Sequence, residues 1–170
     1  MAMSFLGREI CRPKPKCEIC LMRPVCTFYQ TQVSWTNVDM PTRLQKTFLI
    51  ILAVCGWFAL IAQFYLIMVN RVASIPETII RYFSFFTILT NLIVAVCCTV
   101  ILLKPSSSTG KFFSRPTILT AIVVYITVVG IVYNTVLRFL WNPQGLQLIV
   151  DELLHSVIPL LFIILWFPVE

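Results

Sequence analysis

Charge is scarce in this chain. Only 12% of its 170 residues are Asp, Glu, Lys or Arg, while 59% are hydrophobic; soluble domains carry about a quarter charged residues. That shortage excludes an ordinary soluble domain and points to an integral membrane protein. Histidine is scarcer still, with a single copy at His155, so imidazole chemistry has one place to happen. There is no internal repeat, and Pro159 is the only candidate helix break near the intramembrane polar groups. Both absences weigh against the repeated halves and broken helices of carriers. The net charge of +6 does not indicate nucleic acid. Seven of the 13 Lys and Arg residues precede residue 47, and the other six flank apolar runs, the pattern of helices anchored at an interface.

What the chain has instead is four long apolar runs, at 47–69, 82–103, 117–140 and 146–167. At about 1.5 Å per residue, some 22 residues cover roughly 33 Å, enough to cross the hydrocarbon core. The first run is longer than the apolar core of a cleavable signal peptide and lacks a small-residue cleavage site. Breakers separate the runs: SIPET at 74–78, KPSSSTGKFFSRP at 104–116 and NPQG at 142–145. The expected fold is therefore all-α, a polytopic bundle of four transmembrane helices over 40–170, preceded by a cysteine-rich extension over 1–39. The N-terminal segment and second loop hold ten basic residues against three in the other loops and helix ends. The positive-inside rule then expects both ends in the cytoplasm.

On this map the polar residues of the spans share one depth. Gln63, Thr87, Asn91, Asn134, Asp151, Glu152 and His155 fall within roughly 8–14 Å of one surface, with Arg138 nearer to it. Ser84, Thr87 and Asn91 are spaced to lie on one helix face; so are Asp151 and His155, and Asn134 and Arg138. An ionisable group at the bilayer centre costs about 2.5–3.5 kcal/mol on insertion scales, so such groups usually face a bundle interior or wet cavity. A polar pocket opening toward the extracytoplasmic side follows.

Two readings of that layer compete. Thr, Ser and Asn often serve as interhelical hydrogen-bond glue, and Arg138, Asp151 and Glu152 can snorkel to the headgroups. Against this, a neutral imidazole at His155 oriented by Asp151 or Glu152 is a competent general base. A Thr87 hydroxyl brought to it would be an activated nucleophile, with Ser84, Thr90 and Ser156 as alternative hydroxyls. Arg138, Asn91 or Asn134 would stabilise a developing oxyanion, with Gln63 completing the polar lining. The set suits hydrolysis of a lipid ester entering sideways from the bilayer. The alternatives are a proton relay in a small-solute carrier and a non-catalytic scaffold.

RYFSFFTILTNLIVAV (81–96), TAIVVYITVVGIVYN (120–134) and DELLHSVIPLLFIILW (151–166) resemble the bacterial Pr-six-Pr integral membrane family. That family is a presumed distant relative of the eukaryotic androgen-induced and FAR-type membrane proteins. The eukaryotic relatives are threonine hydrolases of fatty acid esters of hydroxy fatty acids, using one Thr and one His. By motif these correspond to Thr87 in FFT and His155 in LLHSVIP, although the eukaryotic His stands at a different spacing from its Pro. The resemblance implies a bacterial cytoplasmic membrane protein and a six-span fold. With four spans here, it further implies either a fragment or a chain without the helices that would close the pocket.

The N-terminal cysteines pose a separate question. Cys11, Cys17, Cys20 and Cys26 follow C-x5-C-x2-C-x5-C, and four thiolates so spaced can hold Zn²⁺ or a [4Fe–4S] cluster. GREICRPKPKCEICLMRPVC (7–26) resembles the C-terminal iron–sulfur loop of endonuclease III-like and adenine DNA glycosylases, whose first gap is one residue longer. No helix-hairpin-helix and no catalytic Asp or Lys of a glycosylase accompanies it, so no nucleic-acid partner is expected. The preferred reading is a remnant of a neighbouring or overlapping glycosylase gene, with MPTRLQKTFLII from Met40 the natural start of the membrane protein; metal binding is the first alternative, and disulfides, disfavoured by a cytoplasmic location, the second. No cofactor is expected for the membrane domain. Cys55, Cys97 and Cys98 lie within the spans and read as small packing residues.

Overall fold

The computed structural model describes residues 43–140 and 142–167. The cysteine quartet, Cys11, Cys17, Cys20 and Cys26, lies outside the described residues. Among the described residues 87% are helical and none is in a strand. The helices are α1 (Arg43–Val69), α2 (Ile75–Ser84), α3 (Phe86–Leu103), α4 (Ser108–Phe113), α5 (Pro116–Leu140) and α6 (Leu146–Trp166). Four of them, α1, α3, α5 and α6, are long and apolar enough to cross a membrane, so the described residues form an all-α bundle of four candidate spans, as an integral membrane protein would.

Local chemistry sets the boundaries. Proline is the second residue of α2 and the first of α5, where its missing N–H leaves no helical bond unmade. The Ser107 hydroxyl caps α4 by accepting from the Gly110 amide at 3.0 Å. The second apolar run departs from the expected continuous helix over 82–103. It breaks at Phe85, whose backbone is extended (φ −73°, ψ 121°), so that Tyr82 and Ser84 end one helix and Phe86 begins another.

The spans pack in the cyclic order α1, α3, α5, α6. Small residues set the close approaches. A Cβ on Gly56 of α1 would come within 3.1 Å of the Ala95 Cβ on α3, and one on Gly130 of α5 within 3.2 Å of the Pro159 Cβ on α6. Leu52, Val94, Ile126, Ile158 and Phe162 fill the centre, while Ile61, Tyr65, Ile131 and Leu160 face outward, an apolar exterior suited to lipid. Indole hydrogen bonds tie neighbouring helices together: Trp57 Nε1 donates to Thr99 Oγ1 between α1 and α3, and Trp166 Nε1 to Thr120 Oγ1 between α6 and α5.

Two facing segments depart from α geometry. Residues Tyr133–Leu137 of α5 and Leu153–Val157 of α6 are single π-helical turns. The second lies just before Pro159, whose ring would crowd the carbonyl four residues earlier in a regular helix. Widening the turn relieves that contact, and both π-turns fall at the polar layer, where such turns often mark functional sites.

Candidate functional site

All four spans contribute to a cavity of about 600 Å³ in the polar half of the bundle. Its walls are mostly apolar, and its polar groups come from Gln63 on α1, Tyr82 on α2, Thr87 on α3, Tyr133 on α5, and Gln147, Asp151 and His155 on α6. Phe85, Phe86, Val128, Val132 and Leu137 line it while remaining exposed on the surface of the bundle. The cavity therefore opens sideways between α3 and α5, toward where lipid chains would lie.

Of the hydroxyls weighed from the sequence, Thr87 alone keeps its oxygen unbonded. Ser84 donates to the Ile80 carbonyl, Thr90 to the Phe86 carbonyl and Ser156 to Asn134 Oδ1. Thr87 is the second residue of α3, and the break at Phe85 parts it from the carbonyl four residues earlier that a helical threonine normally engages. The break has a second consequence. The amides of Phe86, Thr87 and Ile88 begin a helix with no side-chain cap, and the first backbone bond of α3 runs from Leu89 N to Phe85 O. Three N–H donors thus start a helix at the wall of an apolar cavity, where unmet backbone groups are costly.

His155 is held in a defined tautomer. Its Nδ1 lies 2.9 Å from the Asp151 main-chain carbonyl; a carbonyl only accepts, so Nδ1 carries the proton and Nε2 presents its lone pair. The imidazole stacks on the Tyr133 ring, centroids 4.2 Å apart and planes inclined by 15°. The orienting group is thus the Asp151 backbone together with an aromatic platform. The Asp151 side chain, 5% exposed, accepts from Gln147 Nε2 at 3.0 Å, and the same nitrogen reaches Gln63 Oε1 at 3.1 Å, joining α1 to α6. No hydrogen bond joins Thr87 to His155; they share the cavity.

The remaining sequence candidates sit elsewhere. Glu152 pairs with Arg138 between α6 and α5, and Arg138 Nη1 also donates to Asn134 Oδ1 at 2.7 Å. Asn134 Nδ2 donates to the carbonyls of Gly130 and His155. Asn91 is fully buried, and its Nδ2 donates to the carbonyls of Thr87 and Leu154 at 2.9 and 3.1 Å. None of these four lines the cavity; they clasp the helices around it. Tyr133 and Gln147 escaped the sequence reading. Gln147 lies one helical turn before Asp151, a spacing that would have found it; Tyr133 had no signal, being one aromatic among many. No group of three or more His, Cys, Asp or Glu placed to hold a metal occurs among the described residues. No protein-family model, curated protein or solved structure matches the chain.

Proposed function

We propose that the protein is a membrane-embedded hydrolase of lipid esters with Thr87 as nucleophile and His155 as general base. The observation that carries this reading is the meeting, in one lipid-facing cavity, of a threonine hydroxyl free of helix carbonyls and an imidazole whose Nε2 is presented as an acceptor. In the first step Thr87 Oγ1 attacks the acyl carbonyl carbon, its proton passes to Nε2, and the C=O π pair moves onto oxygen. Collapse restores the carbonyl and expels the alcohol oxygen, which takes the proton from His155. Water repeats the sequence on the acyl-threonine, releasing a fatty acid and free Thr87. The reading accords with the Thr and His that the family resemblance assigns to the same positions, and it gives the N-terminal cysteine loop no part in the chemistry.

A carrier for a small solute or protons is the second reading, favoured by the helix break at Phe85, since broken helices beside a cavity are a transporter feature. Fluorophosphonate labelling of the detergent-purified chain separates the two. Labelling is expected in the wild type and absent in Thr87→Ala and His155→Ala. A folded wild type that stays unlabelled removes the hydrolase reading and leaves the carrier and the non-catalytic scaffold.

A further inference from the structure

We infer that Gln63 and Gln147 bind a hydroxyl on the alcohol part of the ester, so that the substrate is an uncharged lipid ester with a free hydroxyl. The inference rests on the hydrolase reading and names its substrate class. Both glutamines line the cavity with Asp151, and two hydrogen bonds join the three side chains. Acid–base chemistry fixes the direction of those bonds. An ionised carboxylate only accepts, so the Gln147 atom 3.0 Å from Asp151 Oδ1 is the amide nitrogen. The second hydrogen of that nitrogen goes to Gln63, whose atom 3.1 Å away is therefore the carbonyl oxygen. Both Gln147 N–H groups are thus engaged within the protein. The pair keeps one acceptor, Gln147 Oε1, and one donor group, Gln63 Nε2, on side chains already in contact. A hydroxyl both donates and accepts, and it matches such a pair; an alkyl group matches neither half.

The place of the pair in the bundle says which part of the substrate meets it. The lateral opening lies between α3 and α5, and the spans pack in the cyclic order α1, α3, α5, α6. The bond between Gln63 and Gln147 therefore crosses the side opposite the opening. An ester that enters alcohol first carries its alcohol to the glutamines and leaves its acyl chain toward the lipid. Charge narrows the alcohol further. Asp151 lines the cavity, and no Lys or Arg among the described residues does so. A phosphate on the alcohol would meet a carboxylate and no described cation there, where a low dielectric strengthens repulsion. A hydroxyl meets no such repulsion.

The test is release of oleate by the detergent-purified full chain from monooleoylglycerol, propyl oleate and oleoyl-lysophosphatidic acid. These esters share one acyl chain and differ in the hydroxyls or the phosphate of the alcohol. Wild type should cleave monooleoylglycerol about tenfold faster than either of the others, read as kcat/KM. Gln63→Met and Gln147→Met, one on each helix, should each bring monooleoylglycerol and propyl oleate to within about twofold of each other. Each ratio is taken within one protein, so any loss of folded chain from loosening α1 and α6 cancels. A clamp with no contact to substrate would lower both rates and leave their ratio alone. Three results would overturn the hydroxyl site while Thr87→Ala still stops release and the hydrolase stands. They are a wild type indifferent to the hydroxyls, a preference that persists in both glutamine variants, and a phosphate ester cleaved as fast as monooleoylglycerol. If wild type cleaves none of the three esters, or Thr87→Ala releases oleate as wild type does, the hydrolase reading itself has failed.

Discussion

Pro159 has no N–H, and two asparagines on other helices stand where its hydrogen bonds are missing. Within a π-turn the Leu154 carbonyl would look five residues ahead, to Pro159, for its donor; it finds Asn91 Nδ2 of α3 instead. The His155 carbonyl receives Asn134 Nδ2 of α5. Leaving a buried carbonyl unmet costs about 1–3 kcal/mol, so Asn91→Leu should destabilise the bundle by that amount. In a Pro159→Ala background the new N–H can serve Leu154, and the cost of Asn91→Leu should fall by at least half. Unfolding free energies of the four proteins close this double-mutant cycle; additive effects would mean that Asn91 does not stand in for the proline. The shared depth of Gln63, Thr87, Asp151 and His155 is legible in the sequence because helices rise regularly. The roles within that layer are not. Asn91 and Asn134 look like oxyanion donors by depth alone, and only the partner carbonyls across the helix interface show how they are engaged. Apart from the FFT motif, sequence does not select Thr87 over Thr90, since the structural difference lies in a break at Phe85 that no glycine or proline announces.

At the scale of elements, the extra residue in α6 belongs to the geometry of the site as much as to that of the helix. A π-turn is a one-residue insertion that leaves the flanking helix in register, so it can accommodate the Pro159 ring and still aim His155 at Tyr133. Deleting Val157 should restore an α-helical turn and press the Pro159 ring against the carbonyl four residues before it, costing about 3 kcal/mol. Adding Pro159→Ala should recover most of that loss, read as the thermal midpoint. Labelling should stay absent in both proteins, because His155 no longer sits where the two π-turns face each other. A deletion tolerated with Pro159 in place would show that the turn does not serve the proline. The four spans themselves were readable, being set by length and lack of charge. The π-turns and the division of the second run into α2 and α3 were not, since they leave the hydropathy of each run unaltered.

At the scale of the whole molecule, the charge at each end of the bundle decides which leaflet the cavity faces. The two ends of the described bundle differ in charge. Arg43, Lys46, Lys104, Lys111 and Arg115 all lie at the end away from the cavity, and no described acidic residue lies there. Glu77, Asp151 and Glu152 lie at the cavity end, two of them paired with Arg81 and Arg138. Basic residues in short loops resist translocation, whereas acidic ones count for little, so the positive-inside rule expects the Lys104–Arg115 loop in the cytoplasm. Alkaline phosphatase folds only outside the bacterial cytoplasm, so inserting it after Ser106 should give an inactive fusion, and after Gln144 an active one. That pattern places the lateral opening between α3 and α5 in the outer leaflet, from which the proposed hydrolase would take its substrate. The reverse pattern leaves Thr87, His155 and Tyr133 at the same depth from one surface but turns that surface inward. The proposed hydrolase would then meet only lipid of the cytoplasmic leaflet, and an ester supplied from outside the cell could not reach it without first crossing the bilayer.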